Sequence, residues 1–182
     1  MFLFYSLFPL GTGRAGTLVT IETQKARLTL SLLERFVRLE DHLRHRRIYR
    51  VLALLPKVHT AFQDQRLVNE TVLEFFRRRP NFVLTVVSDG RQALRALREG
   101  NYDILYIAGL VPEIELILKE AAERGVLTVS HLTELVPEGL ALSLDLGRRR
   151  ACILANERTW QVLSLRLPAK IARKICFVST DQ

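Results

Sequence analysis

Cysteine, methionine and tryptophan are scarce in this chain, at two, one and one among 182 residues. Two cysteines are too few for a disulfide-built miniprotein or a cysteine-only zinc site. Acidic residues are in deficit, since 19 Asp and Glu against 27 Lys and Arg leave a formal charge of +8. Long apolar runs are missing. No stretch approaches the roughly 20 residues that a membrane-spanning helix needs, which excludes a polytopic membrane protein. There is no internal repeat, low-complexity tract or linker, so one compact domain is the economical reading of this length. What is present is ordinary globular composition, 48% hydrophobic and 25% charged, which excludes a disordered chain.

The positive charge is clustered. Arginines and lysines gather at Arg44 to Arg50, at Arg77 to Arg79, at Arg148, Arg149 and Arg150, and at Arg166 to Lys174. Each cluster falls at an expected helix end or turn, where cations are solvated or offset the helix dipole. Nucleic-acid binding also asks for aromatics interleaved with the basic residues. The aromatics here lie inside apolar runs, so no nucleic-acid partner is expected.

The N-terminus reads as an exported leader. Phe2 to Leu10 has the length of a secretory apolar region, and Gly13 and Ala15 suit a cleavage site after Ala15. No basic residue precedes Leu10, as a truncated leader would have it; the alternative is a buried N-terminal strand. Residues 1–16 are therefore assigned to a signal peptide and 17–182 to the folded domain, with a periplasmic destination. Cys152 and Cys176 form an even pair. In an exported chain such a pair suggests a disulfide, worth about 3 kcal/mol from chain entropy, the alternative being two unpaired thiols.

Apolar spacing predicts a helix from Glu22 to about His45, a strand at Ile48–Leu55, a helix at Val58–Arg79 and a strand at Phe82–Val87. A short helix at Gln92–Glu99, a strand at Tyr102–Ala108, a helix at Glu113–Arg124 and a strand at Val126–Val129 follow. This alternation predicts an α/β fold, with βαβ units around a mostly parallel sheet covered on both faces. Residues 139–155 then read as an antiparallel hairpin turning at Gly147–Arg150. A terminal helix starts after the N-cap Asn156, is interrupted at Pro168 and resumes through Ile175.

No catalytic constellation emerges. Gly11-Thr-Gly-Arg-Ala-Gly has dinucleotide-loop spacing without the strand before it. Asp89, Asp103 and Lys119 lie scattered in a receiver-like frame, but the first strand ends without the acidic pair and the third without an acceptor Asp. His42 and His45 share an expected helix face without a third ligand, and His59 and His131 stand alone as solvated or capping residues. Glu40–Asp41 and Glu113/Glu115 read as exposed helix surface. No Gly-x-Ser-x-Gly elbow is present. An enzyme would use the carboxyl ends of the strands, where Ser88, Asp89, Gly109, Ser130 and His131 fall. No cofactor is implied.

One ordered set of segments is more specific. Tyr102-Asp-Ile-Leu-Tyr-Ile-Ala, Val126-Leu-Thr-Val-Ser, Gly139 to Leu146, Arg150-Ala-Cys-Ile-Leu-Ala-Asn156 and Ser164-Leu-Arg-Leu-Pro-Ala-Lys-Ile-Ala occur in series. Glu22-Thr-Gln-Lys-Ala-Arg-Leu and Leu33-Glu-Arg-Phe-Val precede them. From Ile21 to Lys174 the chain resembles the YfiR-like family of periplasmic proteins. Glu40–Asp41 stand where that family usually has Trp-Pro, and His131 where it has an acidic residue. The resemblance implies a non-enzymatic regulator, often dimeric, that restrains a membrane-bound diguanylate cyclase through its periplasmic sensor domain. Cyclic diguanylate output and biofilm behaviour would follow. A membrane diguanylate cyclase or sensor kinase is then the expected partner, met by Arg148, Arg149 and Arg150. The alternative is a cytoplasmic receiver-like interaction module without a phosphoacceptor.

Overall fold

The computed structural model describes residues 20–57, 63–147 and 151–179. The expected leader at 1–16, the glycine motif within it and His59 lie outside the described residues.

The first helix, α1 (Ile21–Val37), begins where the Thr20 side chain accepts a hydrogen bond from Thr23 N at 3.2 Å. Its stripe of Ala26, Leu30, Leu33, Phe36 and Val37 is buried. Four parallel strands follow, β1 (Tyr49–Leu54), β2 (Phe82–Val87), β3 (Ile104–Ile107) and β4 (Leu127–Ser130), in the order β2-β1-β3-β4. They alternate with α2 (Gln63–Arg77), α3 (Gly90–Glu99) and α4 (Ile114–Glu123).

Side-chain alternation sorts the sheet into two faces. Val51, Ala53, Ile104, Tyr106, Leu127 and Val129 pack with α1 and α2. Leu52, Leu54, Leu105 and Ile107 pack with α3 and α4. β3 and β4 are buried along their whole length, which explains their continuous apolar sequences.

Beyond a single 3₁₀ turn at Thr133–Leu135, a second sheet contains β5 (Ser143–Asp145), β6 (Cys152–Asn156) and β7 (Ile175–Val178). β5 and β6 form the expected antiparallel hairpin, and β7 adds parallel to β6. The two sheets meet where Leu142 bridges Val129. There Ser143 Oγ donates to Ser130 O at 2.8 Å, and Ala141 N donates to Thr128 Oγ1 at 2.8 Å. Between β6 and β7 run α5 (Glu157–Val162) and α6 (Ala169–Ala172).

Two expectations are corrected. The first helix stops at Val37 rather than His45, and residues 38–45 are turns. The terminal helix does not run through Ile175. The expected interruption is present, but α5 ends at Val162 and α6 at Ala172, and Ile175 opens a strand whose β-branched and aromatic residues extend the second sheet.

Candidate functional site

In an open parallel sheet the usual ligand crevice lies at the carboxyl ends of the strands, where the chain reverses its direction across the sheet. Here the chain leaves β1 outward to β2 and returns to β3 on the other side, so the crevice lies between the ends of β1 and β3. Two side-chain amides of α2 bond across it. Gln65 Nε2 donates to Ala108 O at 2.8 Å and to Asn69 Oδ1 at 2.9 Å. Asn69 Nδ2 donates to Pro56 O at 3.0 Å. The two amides thus stitch α2 to the segments that follow both strands. Gly109 is glycine because a Cβ there would lie 2.7 Å from Gln65 Oε1 and 3.0 Å from Pro56 Cγ.

The other residues named for an enzyme are occupied structurally. Asp89 caps α3, accepting from Gln92 N at 2.8 Å, and Ser88 N donates to the Gln92 side chain at 3.2 Å. Ser130 Oγ donates to Ile107 O at 2.7 Å and accepts from Leu132 N at 3.0 Å. That hydroxyl is spent on the turn after β4.

His131 is neither solvated nor a cap, contrary to expectation: it is 3% exposed. Its ring lies nearly parallel to that of Tyr106, with Nδ1 3.4 Å from the phenol oxygen. Its Nε2 is 3.9 Å from Glu22 Oε2. Burial pushes the imidazole pKa down to about 4; Glu22 opposes this and Lys25 adds to it. Burial also pushes the Tyr106 phenol up. The pair is a neutral polar inclusion beneath α1.

Glu40 was read as exposed helix surface and is instead fully buried. Its carboxylate accepts from His42 N at 2.8 Å, Leu43 N at 2.9 Å and Arg166 N at 3.2 Å. It closes the turn after α1 and clamps the segment between α5 and α6. The sequence held one signal for this: Glu40 continues the buried spacing Leu33, Phe36, Val37. His42 is off the helix, with Nε2 3.3 Å from Ser164 O, so it does not share a helical face with His45. Among the described residues no group of three or more His, Cys, Asp or Glu is placed to hold a metal ion.

Asp103 enters β3 as a buried carboxylate. It accepts from Arg50 N at 2.8 Å and pairs with Arg46. Asn156 caps α5 through Thr159 N at 2.9 Å, while its Nδ2 donates to Val136 O at 3.0 Å. One amide therefore ties the end of β6 to the segment before β5.

The sulfurs of Cys152 and Cys176 are bonded, with Cα atoms 6.4 Å apart, and so link β6 to β7. Because Asp145 pairs with Cys152, the disulfide also lies at the end of the β5–β6 ladder. Arg148, Arg149 and Arg150, the candidate partner residues, lie outside the described residues. Among the described residues no helix is long and apolar enough to cross a membrane.

No protein-family model matches the chain, and comparison with curated proteins gives no match. Solved structures do. A ligand-free, open substrate-binding protein with adhesive properties from Clostridium difficile superposes with a TM-score of 0.62 at 13% identity, covering 84% of this chain and 59% of that one. An ABC domain in complex with L-Trp from Streptococcus pneumonia gives 0.57 at 10% identity, covering 85% and 60%. A conserved domain protein from Vibrio cholerae O1 biovar El Tor gives 0.57 at 11%, covering 85% and 60%. The chain spans about three fifths of the length of each. At these identities the likeness concerns the fold.

Proposed function

We propose that this chain is a non-enzymatic, exported regulator of the YfiR-like type. In this reading it binds the periplasmic sensor domain of a membrane-bound diguanylate cyclase and thereby modulates cyclic diguanylate signalling. The observation that carries the reading is that Gln65 and Asn69 bond to the segments that follow β3 and β1. These amides are already engaged at the strand end where a fold of this kind usually receives a small substrate, which favours recognition by an outer surface. A shared fold with a substrate-binding protein and with a domain seen holding L-Trp also supports recognition over catalysis.

The bond between Cys152 and Cys176 supports an oxidising compartment, since such bonds are rare in the cytosol. It favours export over the reduced, receiver-like cytoplasmic module. The family-like segments also have structural work that explains their order. The strand from Asp103 builds the sheet centre, Ser130 closes the turn after β4, and Asn156 joins the second sheet to α5. The partner surface in this reading includes Arg148, Arg149 and Arg150. Three cations there would steer an acidic partner, raising association rate more than affinity.

The test is cellular. Deleting the gene should raise cyclic diguanylate and biofilm, and only an exported copy should reverse the change. Unchanged cyclic diguanylate on both deletion and overproduction defeats the reading.

A further inference from the structure

The amino ends of the strands carry an open basin of about 850 Å³, at the opposite end of the sheet from the Gln65 and Asn69 crevice. That volume lies within the range of small-molecule sites. Its wall includes Arg46, Arg50, Arg124, His42, Asn101 and Tyr102. We propose that this basin binds a small polyanion bearing phosphate or carboxylate groups. The proposal goes beyond the regulatory reading and does not depend on it.

Charge is the first argument. Three arginines face the space against one lining carboxylate, Asp103, which leaves a surplus of two positive charges. Asp103 already has its own partners. Its side chain is 7% exposed, and its oxygens are taken by Arg46 and by Arg50 N.

Order is the second argument. Arg46 is held from behind by Asp103. Arg124 is held by Glu120 at 2.6 Å, and Glu120 also takes Arg98 at 3.0 Å. Those two arginines hold the Glu120 carboxyl below its usual range. A guanidinium has five N–H donors, so one carboxylate behind it leaves donors for a ligand in front. Arg50 forms no ion pair among the described residues, and its backbone is pinned at both ends: Arg50 N donates to Asp103, and Asp103 N donates to Arg50 O at 2.9 Å. The paired Arg46 and Arg124 thus lose less freedom on binding than mobile cations would, and Arg50 brings a guanidinium unpaired among the described residues.

Room is the third. Gly125 adopts φ +71°, and a Cβ there would meet nothing within 4 Å, so the basin is open above this bend. A smaller cavity of about 180 Å³ adjoins it, sharing His42, Asp103 and Gly125 and reaching Ser164.

The experiment is calorimetric titration of the full, disulfide-bonded chain with pyrophosphate in one arm and citrate in the other. We expect saturable one-to-one binding in at least one arm, which names the anion class. Arg50→Gln should weaken it about tenfold, the loss expected for one charge-assisted contact. Arg66→Gln, on the exposed side of α2, should leave it unchanged. In the wild-type protein, amide resonances of Gly100, Asn101 and Gly125 should shift with the same saturation curve. Equal losses for Arg50→Gln and Arg66→Gln would reduce the effect to general surface attraction and overturn the proposal. Absence of saturable binding in both arms would overturn it as well.

Discussion

Acidification should weaken this fold through His131, and the size of the effect follows from where the ring lies. The ring is 3% exposed, between Tyr106 of β3 and the first turns of α1, which bring Glu22 and Lys25 to it. The unfolded chain takes up the imidazole proton near pH 6.5, whereas the folded chain does so only near 4. Between those values the unfolded state binds more protons, so stability rises with pH. The contribution is fully present above pH 6.5 and is lost as pH falls towards 4. At about 1.4 kcal/mol per pH unit, the gap from 6.5 to about 4 corresponds to about 3 kcal/mol. That is a large part of the roughly 5–15 kcal/mol that holds a domain together. The assay is urea unfolding at a series of pH values for the wild type and for His131→Gln, whose side chain stays neutral. Carboxylate titrations are common to both proteins and cancel in the difference. The difference should slope through pH 6.5 to 4 and flatten above. Parallel curves for the two proteins would refute the argument.

Three further perturbations have definite outcomes. Replacing Cys152 and Cys176 together by serine frees a loop of sequence separation 24 and should cost about 3 kcal/mol, read as a lower urea midpoint that reductant no longer changes. Glu40→Ala leaves the buried amide of Leu43 and the half-buried amides of His42 and Arg166 without their acceptor and should cost about 2–3 kcal/mol, with Glu40→Gln losing less; equal stability of Glu40→Ala and wild type would show that the clamp is idle. Ser164 stands at φ +50° just after α5, where its N–H donates to Gln161 O at 3.0 Å. Ser164→Gly relieves that left-handed conformation and should raise stability by roughly 0.5–1 kcal/mol in thermal unfolding.

The parallel sheet was legible because β3 and β4 are buried on both faces and so read as unbroken apolar runs between helices of clear period. Asn156 was legible as a cap because its amide satisfies a local N–H three residues on. The first helix was overextended because Glu40 and Leu43 keep helical spacing after the helix has ended. Long-range bonds to Arg166 N hold that turn, and local periodicity carries no trace of them. β7 was hidden for the same kind of reason: Ile175–Val178 is short, and only its pairing with β6 and the bond to Cys152 make it a strand. The amide bonds across the crevice could not be read either. Gln65 and Asn69 look like the polar face of α2 until the fold sets them against Ala108 O and Pro56 O. The arginines of the basin come from the turn after α1, from β1 and from the end of α4, so their sequence spacing says nothing of their meeting.

The most direct test of the central claim, an exported module stapled by a disulfide, is intact mass after cell fractionation. Protein is recovered separately from periplasm and cytoplasm and alkylated before and after reduction. The account predicts a periplasmic species beginning at Gly16, in which Cys152 and Cys176 react with the alkylating reagent only once reduced. A full-length cytoplasmic species with both thiols freely alkylated would contradict it.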